Sequence, residues 1–108
     1  MVQLKDLKAY EQYVIKKRED FHMHPETGFK EFRTAKIIEK ELKTMGYNLV
    51  TKIAGTGIVA TLDTLKPGKT ILLRSDIDAL KMQEENDVPY KSIYDGYMHA
   101  CGHDAHTA

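Results

Sequence analysis

The chain is 108 residues long, the size of one domain, with 42% apolar side chains and a mean hydropathy of -0.47. Sixteen basic and sixteen acidic residues cancel, and no basic stripe interleaved with aromatics appears, so neither nucleic acid nor an anionic membrane is an expected partner. The sequence shows no long apolar run and no basic-then-apolar leader pattern, and its single cysteine cannot staple the fold internally; a cytoplasmic protein with a thiol free to act as a ligand is expected.

Leu4, Leu7, Tyr10, Val14 and Phe21 recur at three- and four-residue steps in a segment crowded with Lys, Glu and Asp, which predicts an amphipathic helix over about 4–23. Its Lys16-Lys17-Arg18 run is followed at once by Glu19 and Asp20 and reads as a solvated face. His24-Pro25-Glu26 ends the helix, because proline disfavours helical geometry in the residue before it. His22 and His24, beside that end, are expected to cap or pack and are placed outside any metal shell.

Phe32, Ala35, Ile38, Leu42 and Met45 predict a second helix over about 31–45, with Gly46 where a left-handed C-cap falls. Punctuation then changes to short β-type segments at 47–53, 58–62 and 70–75, separated by Gly55-Thr56-Gly57 and Lys66-Pro67-Gly68-Lys69. Ile71-Leu72-Leu73 is apolar at consecutive positions, so it is expected at the centre of a sheet and covered on both faces. Arg74, Ser75, Asp76 and Asp78 fall at the carboxyl end of that strand, where open α/β sheets bind ligands. Residues 84–96 contain Pro89 and no sustained period and are expected to form a surface loop, with Tyr90, Tyr94 and Tyr97 as packing residues.

Met98 to His106 packs three of the five histidines and the only cysteine into nine positions. Thiolate and imidazole suit zinc, and carboxylate oxygen suits manganese as well, so a metal site is the leading hypothesis. Cys101 and His103 are splayed on a helix but aligned on extended backbone, with Gly102 between them free to turn, which predicts a loop leading into a helix at about His103. Such a helix would set its positive end near a thiolate or anionic ligand. The plain alternatives are a buried cysteine acting as a small hydrophobe and a solvated, adventitiously metal-binding chain segment. Asp76 and Asp78 can ligate a cation, orient a ligating histidine, or serve as turn residues.

His24-Pro25-Glu26, Arg74-Ser75-Asp76-Ile77-Asp78-Ala79-Leu80 and Cys101-Gly102-His103-Asp104-Ala105-His106 occur in the order and with the gaps of one family. Together they resemble the metal-dependent amidohydrolase and carboxypeptidase family that includes hippurate hydrolases, N-acyl-amino-acid amidohydrolases and auxin-conjugate hydrolases. The resemblance implies an α/β fold in which residues 1–108 form the N-terminal portion of a helix-flanked catalytic-domain sheet. Two helices are followed by about three strands and a metal-site loop, and the lid and dimerisation domain is absent. It implies Cys101 and His103 as metal ligands and Asp78 as the acid supporting a ligand, with Asp76, Asp104 and His106 as weaker candidates. Asp76 falls where more distant relatives carry a metal-binding histidine. Lys81 departs from the proline that the family commonly has after the Asp-Ala-Leu sequence.

The implied activity is metal-dependent hydrolysis of the amide of N-acyl amino acids or related conjugates. It uses two divalent ions per complete site, drawn from zinc, manganese, cobalt or nickel, and full-length relatives are implied to be dimeric. The proton-shuttling glutamate belongs, in the family, to a Glu-Glu pair downstream of the Cys-Gly-His motif; Glu84-Glu85 precedes it, so the 108 residues alone are expected to be catalytically incomplete. A non-catalytic truncated domain that binds metal or a partner is the competing reading, and self-association of the chain is a further expectation. A cysteine-nucleophile pair of Cys101 and His103 is poorer, because such partners normally come from distant segments.

Overall fold

The computed structural model describes residues 3–108. The first helical region comes in pieces: α1 (Leu4–Leu7), a 3₁₀ turn (Lys8–Tyr10) and α2 (Glu11–Met23). Its expected apolar stripe is only partly used, because α2 packs through its C-terminal half. Phe21 is buried there, while Leu4, Leu7, Tyr10 and Val14 face solvent. His24 closes α2 at φ -124°, ψ 59°, its Nδ1 2.7 Å from the Asp20 carbonyl, and Pro25 follows. Asp20 also takes both Nη atoms of Arg33, at 3.0 and 2.8 Å, and ties α2 to the next helix.

That helix, α3 (Phe32–Thr44), is capped from a distance. The Glu26 carboxylate accepts the Arg33 amide at 2.9 Å, the Thr34 amide at 2.7 Å and the Thr34 hydroxyl at 2.8 Å, satisfying donors that a helix start leaves open. At the other end Gly46, at φ +87°, donates to the Lys43 carbonyl and Tyr47 to the Leu42 carbonyl, the two bonds of a Schellman motif. The C-cap read from the sequence is in place.

β1 (Asn48–Ile53) and β2 (Gly57–Thr61) form an antiparallel hairpin with Asn48 opposite Thr61 and Ile53 opposite Gly57. A Cβ at Gly57 would lie 2.7 Å from the Ile53 carbonyl oxygen, so only glycine closes this turn without a shift. Leu49, Thr51, Ile58 and Ala60 turn inward in the alternation expected of a one-sided sheet, and α3 lies against both strands. The Thr56 hydroxyl donates to Glu31 at 2.6 Å and pins the turn to the start of α3.

The third expected strand is not formed. Residues 70–75 run without a strand partner among the described residues, and Ile71, Leu72 and Leu73 are 83, 89 and 90% exposed instead of central. A strand is made by its neighbours' hydrogen bonds, and this segment pairs with neither edge of the two-stranded hairpin. The three side chains border a groove of about 680 Å³ shared with Ile38, Leu42 and Ile58.

Residues 78–80 are strung between two other segments. The Ala79 amide donates to the Glu26 carbonyl at 2.8 Å, and Leu80 exchanges a pair of backbone bonds with Met98 at 2.9 and 3.0 Å. The loop at 84–96 carries no helix or strand, but it is anchored inward: Glu84 is buried, contrary to a wholly surface loop, because its carboxylate takes the Ser92 amide at 2.7 Å. The short α4 (His103–Thr107) ends the described chain and packs on α2. No helix among the described residues is long and apolar enough to cross a membrane.

Candidate metal centre

The most enclosed side chains of the molecule are mostly polar. Phe21, Pro25 and Ala79 are the buried apolar ones among the described residues, whereas His22, Glu31, Thr34, Thr56, Glu84, His99 and Asp104 are all buried. Burying polar groups is costly unless they are paired, and of these His22, Glu84 and Asp104 pair with one another.

His103 opens α4 behind Gly102, whose φ of +79° turns the chain sharply into the helix. Its Nδ1 lies 2.9 Å from Asp78 Oδ1 and 3.0 Å from the Asp78 carbonyl oxygen, both acceptors, so Nδ1 carries the proton and Nε2 presents its lone pair. A carboxylate behind a histidine is the arrangement that orients imidazole toward a metal. The Leu80–Met98 and Ala79–Glu26 backbone bonds hold Asp78 at that station.

Three side chains from two segments converge there. Asp76, His103 and His106 offer ligand atoms that all lie within 4.8 Å of one another, with His103 Nε2 3.6 Å from Asp76 Oδ2. His103 and His106, three apart on α4, share a face and stack at 5.5 Å between ring centroids. Arg74 forks onto both oxygens of Asp76 and is the cation now held by that carboxylate. The Thr107 hydroxyl, 3.1 Å from the Asp76 carbonyl, ties the end of α4 to the same segment. Cys101 is a free thiol, exposed on the turn before Gly102, and is not one of the three. The donor set of two imidazoles and a carboxylate fits a borderline divalent ion such as zinc.

Asp104 faces the other way. Its Oδ2 accepts Arg18 Nε at 2.8 Å and lies 2.7 Å from His22 Nδ1, and its Oδ1 accepts the Ala105 amide at 3.0 Å. His22 Nε2 in turn lies 2.8 Å from Glu84 Oε1, so this ring bridges two buried carboxylates. Burial raises the Glu84 pKa, but the Ser92 amide, the His22 ring and the Asn86 amide together bring it below the ordinary carboxylate value. Tyr90 closes the cluster, edge-on to His22 at 5.5 Å and beneath the Arg18 guanidinium at 4.9 Å.

Sequence reasoning placed His22 and His24 alike, and the structure separates them. His24 is the helix cap; His22 joins α2, the 84–92 loop and α4. The signal available was Arg18 and His22 one helical turn apart on the face that carries Phe21. His99 was not singled out either. It is buried with neither ring nitrogen bonded to a protein group, and burial holds its pKa below the ordinary imidazole value against the pull of Asp104 and Asp78.

Residues 72–108 match the profile of Peptidase family M20/M25/M40. Over 90 residues the chain is 47% identical to a hippurate hydrolase of Campylobacter jejuni, covering 83% of this chain and 24% of that protein. It is 41% identical over 95 residues to an N-acyl-L-amino acid amidohydrolase of Geobacillus stearothermophilus, covering 88% and 26%. The fold superposes with a TM-score of 0.85, at 40% identity, on a Bacillus subtilis protein described as a dinuclear metal binding peptidase of the M20 family, covering 93% of this chain and 28% of that one. The chain thus spans about a quarter of the length of the relatives it matches. Across the stretch it shares with these proteins, the chain is similar in sequence and in fold to members of Peptidase family M20/M25/M40, the likeness to which the motifs pointed.

Proposed function

We propose that this chain supplies the first part of the metal site of an amidohydrolase, and that a complete protein carrying it hydrolyses the amide bond of N-acyl amino acids or related conjugates. The observation that carries the reading is His103, fixed by the Asp78 carboxylate at 2.9 Å with Nε2 left to bind, beside Asp76 and His106. The relatives named for hippurate, N-acyl amino acid and N-acetyldiaminopimelate hydrolysis point to a small acylated amino acid as substrate.

In this reading His103 and Cys101 hold a divalent ion, zinc or manganese, with Asp76 and His106 as further donors. Bound there, such an ion polarises an amide carbonyl and lowers the pKa of water from 15.7 toward about 7. Asp78 keeps the His103 ring in one tautomer and one orientation. Asp104 serves as an anchor, since its oxygens are engaged by Arg18, His22 and Ala105. Two ions per complete site, a cytoplasmic setting and dimerisation through a separate domain belong to the same reading; the dinuclear M20 neighbour and the unpaired Cys101 support the first two.

The test is calorimetric titration with zinc. Weak binding that weakens further on Cys101→Ser is expected. Tight one-to-one binding that survives the serine substitution would assign the ion to Asp76, His103 and His106 instead. No heat with zinc, manganese or cobalt would remove the reading.

A further inference from the structure

α4 is five residues long, far below the length at which a helix holds itself together, so its direction is set by what grips it. Three grips exist. Asp78 holds the His103 ring, the Asp76 carbonyl holds Thr107, and Arg18 and His22 hold Asp104. The last reaches farthest in sequence, from residues 18 and 22 to residue 104, and lies in the first turn of α4, immediately after His103.

His22 has no freedom of its own. Its Nδ1 meets Asp104 at 2.7 Å and its Nε2 meets Glu84 at 2.8 Å; Glu84 is fixed in turn by the Ser92 amide, and the Met23 carbonyl beside His22 accepts the Ile93 amide at 3.0 Å. Both carboxylates and the ring are buried. As a source of stability this is a poor arrangement, because well-packed apolar groups of the same volume commonly do as well as buried ionic ones. What it provides is direction: a carboxylate held by Arg18 Nε and His22 Nδ1 on the same oxygen fixes the first turn of α4 in rotation as well as position.

We propose that His22 is a positioning residue for the metal ligand His103, acting through Asp104, with Glu84 as the backstop that keeps the His22 ring aimed. This inference rests on the metal-binding reading above. It assigns to α2 a part in the site that neither the metal donors nor the carboxylate behind them supplies.

The two ring nitrogens can be tested separately. An asparagine amide reaches roughly where Nδ1 stands and a glutamine amide roughly where Nε2 stands. His22→Asn therefore keeps the bond to Asp104, and His22→Gln keeps the bond to Glu84. Cobalt(II) titration of the 108-residue chain, followed by its visible absorption, is expected to show the affinity of His22→Asn, which keeps the Asp104 bond but loses the Glu84 backstop, falling by less than about tenfold. His22→Gln should lose about 10–100-fold, the usual effect of removing a group that orients a ligand. The nitrogen-15 resonances of the His103 ring, recorded without metal, should move in the glutamine variant and stay in the asparagine variant.

Equal affinity in both variants, or losses that only track their melting temperatures, would overturn the inference. A parent chain that binds no cobalt would instead remove the metal reading. The His103 resonances would then still decide whether His22 sets that ring, and identical spectra in parent and glutamine variant would mean that it does not.

Discussion

The Asp78 carboxylate lies 2.9 Å from Nδ1 of His103, across 25 positions of sequence, and the same ring nitrogen also faces the Asp78 carbonyl at 3.0 Å. One residue thus offers the imidazole two acceptors, and the nitrogen on the far side is left to bind. Asp78→Asn keeps the shape but offers an amide that can donate as well as accept. Zinc affinity of the variant, read by calorimetry, should fall about 10–100-fold while the melting temperature changes little, since the pair is part-exposed.

His99 carries a cost in the protein as it stands. A buried donor or acceptor without a partner costs about 1–3 kcal/mol, so His99→Leu, close in volume and without polar atoms, should raise stability by an amount of that order. Chemical denaturation measures it. A destabilised variant would show that the ring makes a bond the protein groups do not supply.

Acid should loosen the joint between the first two long helices. The Arg33 guanidinium, bonded through both Nη atoms, holds the Asp20 carboxyl below its ordinary value. A carboxyl depressed in the folded state adds stability that is full above its unfolded value near 3.8 and is lost as pH falls through the lower folded value. Glu84 is depressed as well and acts in the same direction. Stability should therefore drop below about pH 4, and the drop should be shallower in Asp20→Asn. A variant with the parent's acid profile would show that the pair does not contribute.

The groove beside Ile71, Leu72 and Leu73 leaves apolar surface in water at about 25 cal/mol per Å². The isolated chain should bind an apolar dye and sediment above monomer mass, and Leu72→Lys with Leu73→Lys should suppress both. A monodisperse parent with no dye signal would mean that the segment lies closed in solution.

Local patterns carried most of the fold. The Pro25 helix stop, the Gly46 cap and the glycine-bounded hairpin all depend on residues within a few positions of one another, so the sequence displays them. The segment at 70–75 misled because three consecutive apolar residues signal coverage on both faces, and coverage is a property of neighbours that the pattern does not contain. In the site, the family motif marked Asp78 as an acid supporting a ligand without naming which, and the structure sets its carboxylate against His103. The Glu26 cap and the His22 bridge were not legible, since each joins residues that share no helix or strand: Glu26 reaches Arg33 and Thr34 from outside their helix, and His22 reaches 62 and 82 positions along the chain.

Proteases cut chain that is exposed and outside regular secondary structure, and residues 71–73 are both. A nick there would divide the molecule unevenly in role. Asp76, Asp78, Cys101, His103 and His106 would all fall on the later piece, while Arg18, His22 and Glu26 would stay on the earlier one. Yet the pieces would remain laced together by Arg18 and His22 on Asp104, His22 on Glu84, Ala79 on Glu26 and Ile93 on Met23. The donors of the metal site and the frame that aims them are thus separable in covalent terms while joined in space, and the cut chain would come apart only when that lacing is dissolved.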